Sequence, residues 1–170
     1  MIIGFSGTAG AGKSTAAKHL TDHCGFTLVK MAGPLKAMLR AILPGDDLTE
    51  WLEGSLKEAV HPILGTTPRH AMQTLGTEWG RNCMGPNFWV NMAREAIMAT
   101  GGDVVVDDIR FNSEAEMIRS LGGKVIEIRP KVITHRMNHA SEVGCESDAM
   151  VYNDRSPVDL FREVNRIIGR

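Results

Sequence analysis

The stretch Gly7-Thr8-Ala9-Gly10-Ala11-Gly12-Lys13-Ser14-Thr15, directly after the apolar run Ile2-Ile3-Gly4-Phe5, decides how this chain is read. It has the spacing G-x-x-x-x-G-K-[ST] in the order strand, glycine loop, helix start. Glycines let the backbone turn tightly, so successive N–H groups converge on one anion site. A helix beginning near Ser14 adds the positive end of its dipole there. Gly7, Ala9, Gly10, Ala11, Gly12 and Thr15 are the candidate loop contacts. Lys13 is expected to reach the β/γ-phosphates, and the Ser14 hydroxyl to ligate Mg²⁺. A glycine turn that merely caps a helix is the plain alternative, and the strand before and helix after weigh against it. The stretch therefore predicts a nucleoside triphosphate site.

The chain's 170 residues and 43% hydrophobic content suit one domain with an ordinary core. A net charge of −1 gives no reason to expect stable nucleic-acid or membrane binding. Cys24, Cys83 and Cys145 are odd in number, far apart and without a C-x-x-C pair. That usage fits a reducing cytosol and argues against zinc. No signal peptide precedes the loop, and no apolar run approaches the roughly 18 residues of a membrane helix. A cytoplasmic location is expected.

Short β-rich runs alternate with helical patterns, the signature of a parallel sheet built from βαβ units. Candidate strands are Ile2-Ser6, Thr27-Met31, Asp103-Asp107, Lys124-Arg129 and Ala149-Asn153. Helices are predicted after the loop and over 34–59, 68–79, 88–99, 113–121 and 157–168. Thr67-Pro68, Ser113-x-x-Glu116 and Ser156-Pro157-Val158-Asp159 read as helix starts, and Gly122-Gly123 as a stop. Phe161, Val164, Ile167 and Ile168 form an apolar stripe expected to pack in the core. Residues 32–100 form a long helical insertion, and 130–147, with weak periodicity and basic side chains, is a lid candidate.

Three further groups carry candidate chemistry. Val104-Val105-Val106-Asp107-Asp108-Ile109-Arg110 puts two acids at the end of a buried strand, where a carboxylate can hold Mg²⁺ or polarise an acceptor. Because side chains alternate along a strand, Asp107 and Asp108 are expected to take separate roles. Asp107 is favoured for magnesium and Asp108 for the acceptor side or a structural hydrogen bond, an order that alternation itself leaves open. In Pro68 to Arg81, Arg69 and Gln73 are four apart on a predicted helix, so they share a face. Gln73 can read a base edge, and arginines can grip a phosphate bidentately. Trp79 and Trp89 could stack on a base, with core packing the default. Arg129, Lys131 and Arg136 could close over a transferred phosphate, since phosphoryl transfer depends on positioning and charge neutralisation. A solvated basic loop is the bland reading of the same residues.

Taken together the chain resembles the phage-type deoxynucleoside monophosphate kinases of the P-loop nucleoside monophosphate kinase group. The resemblance rests on Gly7-to-Thr15, Ala32-Gly33-Pro34-Leu35-Lys36, Gln73-to-Arg81 and Val106-Asp107-Asp108-Ile109-Arg110-Phe111. Asn112-to-Glu116, His139-Ala140-Ser141-Glu142 and Asn153-Asp154-Arg155-Ser156 extend it over nearly the whole length. It implies an α/β P-loop kinase fold with a five-stranded parallel sheet, a helical acceptor-binding insertion and a short lid. ATP with Mg²⁺ is the implied donor, a 5′-deoxynucleoside monophosphate the acceptor, and a homodimer one option for assembly. Carried over by position, Lys13, Asp107, Arg129 and Arg136 are candidate catalytic residues, with Ser14 and Asp107 on the metal. Lys36, Arg69, Gln73, Arg81, Asp108 and Arg110 are candidate acceptor contacts, and the Asn153 turn is similar to an adenine-contacting loop.

Two enzyme rivals share the loop. One phosphorylates a hydroxymethylated base in phage DNA and would need a basic groove, which the near-neutral charge weighs against. The other, dephospho-coenzyme A kinase, matches the middle segment less well. A non-catalytic nucleotide-binding module would be expected to have lost Lys13, the acids or the arginines, and a GTPase would carry N-K-x-D, which this chain lacks.

Overall fold

Val104, Val105 and Val106 are all fully buried, as a strand covered on both faces requires. They open the central part of a parallel sheet in a computed structural model that describes residues 1–130 and 145–170. In chain order the first elements are β1 (Ile2–Ser6), α1 (Lys13–Cys24), β2 (Thr27–Val29), α2 (Gly33–Ile42) and α3 (Leu48–Leu52). A 3-10 turn (Ser55–Glu58), α4 (Pro68–Thr74) and a π-helical segment (Leu75–Met84) follow, then α5 (Phe88–Thr100). The chain ends with β3 (Val104–Ile109), α6 (Asn112–Ser120), β4 (Lys124–Pro130), β5 (Ala149–Asn153) and α7 (Pro157–Ile168). The five strands run parallel in the order β2-β3-β1-β4-β5. This is the expected five-stranded α/β sheet. No helix of the described residues is long and apolar enough to cross a membrane.

The chain divides into two compact units, Met1–Met31 with Ala93–Arg170, and Ala32–Met92. In the first, Ile3 and Phe5 of β1, Val105 of β3 and Ile126 and Ile128 of β4 pack with Leu20 of α1 and Val164 of α7. Burying side chains of this size contributes roughly 1.5–3 kcal/mol each. Phe161 and Ile167 pack against the same cluster, so the apolar stripe of α7 is core, as expected. Ser156 caps α7: its Oγ accepts from the Asp159 N–H at 3.3 Å, and Asp159 answers by accepting from the Ser156 N–H at 3.3 Å. In the second unit Leu39, Leu43 and Leu52 form a smaller core with Leu48, Leu64, Ala71 and Met72.

Three local readings need correction. The helix predicted over 34–59 stops at Ile42, because Pro44-Gly45 cannot continue it, and resumes only as α3 and the 3-10 turn. The Ser113-x-x-Glu116 start is displaced. Helix α6 begins at Asn112, and Glu114 rather than Glu116 supplies the cap, its Oε2 accepting from the N–H groups of Arg110 (2.8 Å) and Phe111 (3.2 Å). The helix predicted over 68–79 runs on to Met84, and widens after Thr74.

Strand β3 carries an extra residue. Gly4 of β1 pairs with Val106, but Ser6, two residues on, pairs with Ile109, three residues on. Its effect on side-chain direction is visible at both ends. Val105 packs into the cluster beside Leu20. Ile109 has the same parity, yet it faces the side of the sheet where Ile118 of α6 covers Gly4. In an unbroken strand the two would share a face. The bulge lies at Asp107-Asp108 and inverts the alternation there.

Candidate active site

Glycines 7, 10 and 12 all have positive φ (+131°, +76° and +106°), which frees the chain to bend between β1 and α1. Gly7 is also a point of close approach: a Cβ there would lie 2.2 Å from the Ile128 carbonyl oxygen of β4. Gly7→Ala is therefore expected to destabilise the protein by about 2–4 kcal/mol, from strained backbone plus a backbone clash. Urea unfolding checks it, and a change below about 0.5 kcal/mol would contradict the packing described.

Lys13 begins α1, and its side chain is only 11% exposed. Its Nζ donates to the carbonyl oxygens of Gly7 (2.7 Å) and Thr8 (2.9 Å) and lies 3.4 Å from Asp108 Oδ1. Asp108 Oδ2 in turn accepts from Arg110, at 2.8 Å from Nε and 2.6 Å from a terminal guanidinium nitrogen. The bulge explains this chain of charge. Simple alternation would send Asp108 to the face of Val104 and Val106, whereas the inserted residue lets it reach the loop lysine. Asp107 is half-buried beside it, and Ser14 and Thr15 are exposed on the first turn of α1.

Asn153, at the end of β5, donates from Nδ2 to the Ala11 carbonyl oxygen at 2.9 Å. Arg129 is on β4, where its Nε donates to Glu127 at 2.8 Å, and this carboxylate holds the guanidinium pKa above its ordinary value. Arg136 and most of the lid candidate, residues 131–144, lie outside the described residues.

The remaining candidates belong to the second unit. Lys36 Nζ is 3.4 Å from Glu53, which also accepts from Arg40 at 2.8 Å. Arg69 on α4 is paired with Glu58, and Gln73, one turn on, is exposed. Arg81 is half-buried within the π-helical segment. Trp89 packs directly on that segment. The Trp89 indole N–H donates to the Gly76 carbonyl at 2.8 Å, and its ring lies against Gly80, where a Cβ would come 2.2 Å from Nε1. Trp79 and Phe88 complete the aromatic group, with centroids 5.4 Å apart and Phe88 4.7 Å from Trp89. Trp89 is 6% exposed, so it packs in the core.

A glycine-to-alanine change inside a helix ordinarily stabilises by roughly 0.5–1 kcal/mol. Gly80→Ala is expected to have the opposite sign, costing about 1–3 kcal/mol through overpacking on a rigid ring. Thermal or denaturant unfolding of the variant reads the sign directly.

Sequence reasoning missed the bulge, the π-helical widening and the Glu114 cap. For the cap a signal was present, an acid three residues after Phe111. For the other two it was not, because both involve partners distant in the chain.

A family model described as deoxynucleotide monophosphate kinase matches residues 55–164. A protein of Acanthamoeba polyphaga mimivirus, provisionally described as a deoxynucleotide monophosphate kinase, is 30% identical over 96% of this chain and 94% of its own length. The deoxynucleoside-5′-monophosphate kinase of Escherichia phage T5 is 22% identical over 98% of this chain and 92% of its own. Among solved structures, a shikimate kinase from Acinetobacter baumannii superposes with a TM-score of 0.53, covering 98% of this chain and 92% of its own at 12% identity. That likeness concerns the fold.

Proposed function

The chain belongs to the deoxynucleotide monophosphate kinase family, and from that premise we propose how its own residues carry out the transfer. It is an ATP-dependent phosphotransferase, moving the γ-phosphoryl group to a 5′-deoxynucleoside monophosphate and leaving ADP and the diphosphate. Its family uses ATP with Mg²⁺. We place it in the cytoplasm, that of the host cell if the chain is phage-encoded as the relative from Escherichia phage T5 is.

The donor triphosphate binds in the glycine loop, its oxygens taking N–H groups between Gly7 and Thr15. Lys13 leaves the Gly7 and Thr8 carbonyls to meet the β/γ-phosphates, and exchanging two neutral acceptors for a polyanion favours the move. Asp108 and Arg110 follow in the same network, and Arg110 turns toward the acceptor phosphate. Arg69, Gln73, Arg81 and Lys36 supply acceptor contacts, Gln73 through its paired donor and acceptor. Arg129, with Arg136, offsets charge on the transferring group.

The donors assigned to the ion are the Ser14 hydroxyl and the Asp107 carboxylate, which is the all-oxygen chemistry magnesium prefers. These residues would hold the ion, which when bound neutralises developing charge on the phosphate oxygens.

The observation that carries this reading is the Lys13–Asp108–Arg110 chain at the mouth of the glycine loop. One coupled assay tests it, with ATP, Mg²⁺ and in turn each deoxynucleoside monophosphate, dephospho-coenzyme A and duplex DNA bearing hydroxymethylated bases. ADP release that depends on deoxynucleoside monophosphates is expected. Labelling of the DNA with turnover on none of the monophosphates would overturn the reading.

A further inference from the structure

The Asn153 side chain is engaged with the protein itself. Its Nδ2 donates to the Ala11 carbonyl oxygen at 2.9 Å, linking the end of the edge strand β5 to the tip of the glycine loop. The same nitrogen covers Gly12, where a Cβ would lie 2.5 Å away and where φ is +106°. Ala11 is completely buried, and its N–H donates to the Thr8 carbonyl at 3.2 Å. This residue is thus held on both sides, by Thr8 at its nitrogen and by Asn153 at its oxygen.

A trans peptide is planar, with its C=O and N–H pointing in opposite directions. Fixing the Ala11 carbonyl toward β5 therefore fixes the Gly12 N–H away from β5, into the loop. Glycine at 12 leaves that peptide free to rotate when nothing holds it. We infer that Asn153 is a positioning residue for the donor site: it locks the Ala11–Gly12 peptide so that the Gly12 N–H is aimed at phosphate before nucleotide arrives. Its target is the polyphosphate, whichever base is attached. The inference rests on the triphosphate reading of the loop and not on the identity of the acceptor.

Binding of ATP, GTP and inorganic tripolyphosphate, measured by calorimetry without acceptor, tests it. Tripolyphosphate has no base or sugar, so it reports on the loop alone. Asn153→Ala removes the donor, and Asn153→Leu removes it while keeping the bulk, which guards against a cavity effect. Both variants are expected to weaken all three ligands by the same factor, about 3- to 10-fold, as for one hydrogen bond. The ratio of ATP to GTP affinity should stay at its wild-type value. In steady-state kinetics KM for ATP should rise, with KM for the monophosphate unchanged.

Asn153→Ser keeps a hydroxyl donor and should recover part of the loss. Weaker ATP binding with unchanged tripolyphosphate binding would mean that Asn153 touches the nucleoside, and would overturn the inference. So would unchanged affinity for all three ligands. A wild-type protein that binds tripolyphosphate but turns over no monophosphate would instead count against the proposed reaction alone.

Discussion

Lys13→Ala should leave a folded protein that transfers no measurable phosphate, with kcat lowered about 10³-fold or more. Losing one neutral donor to a developing oxyanion typically costs about 10²–10³ in rate, and a full positive charge on the transferring phosphoryl group is worth at least that. The fold should tolerate the change, because the ammonium's present partners are two loop carbonyls and one acid at the mouth of the site. Unfolding midpoints are expected to fall by only a few degrees, for a loss of about 1–2 kcal/mol. Lys13→Arg keeps the charge but brings a planar fork larger than the space the ammonium fills, so it should rescue poorly. Retention of a tenth of wild-type kcat by Lys13→Ala would remove the loop lysine from the mechanism.

The second large effect is expected at the two acids of β3, and it should be unequal. Asp108→Asn should lower kcat by about 10²-fold or more, because it removes the negative charge that Lys13 and Arg110 share. Asp107→Asn should cost less in kcat and show itself mainly in the magnesium concentration needed for half-maximal rate. Measuring kcat over a magnesium titration for both variants separates the roles. A larger kcat loss at Asp107 than at Asp108 would contradict the unequal roles drawn from the geometry at Lys13.

The sheet was legible because its strands are short apolar runs between turn signals, and Val104–Val106 could be little else in a folded chain. The start of α7, with its Ser156–Asp159 cap, was legible for a similar reason, since it is a local arrangement within four residues. The break after Ile42 was written plainly as Pro44-Gly45 and was overrun by the apolar periodicity on either side. The bulge was beyond local reading. Whether Asp107-Asp108 alternates or doubles is settled by how Ser6 registers against Ile109, and that is a contact about 100 residues away in the chain. The widened helix after Thr74 likewise meets Trp89, whose indole donates to a carbonyl thirteen residues earlier.

In the candidate site, sequence spacing brought Lys13 and Ser14 together because the motif is contiguous. It could not show that Asp108 would meet Lys13, or that Asn153 would spend its amide on Ala11. Both depend on where strands from other parts of the chain end.

The sheet order has a consequence in time as well as in space. The loop is finished within the first fifteen residues, yet its Ala11–Gly12 peptide is clamped by a side chain from the last strand, and that strand is held in turn by the last helix. A ribosome that has made the glycine loop has not yet made a nucleotide site. Because non-local strand pairing is slow, β5 and α7 are expected to dock late, and nucleotide bound at the loop should then act as a ligand of the completed fold. Chains released before residue 153 would carry an intact motif without this clamp or the last helix, and are expected to hold phosphate more weakly than the finished protein.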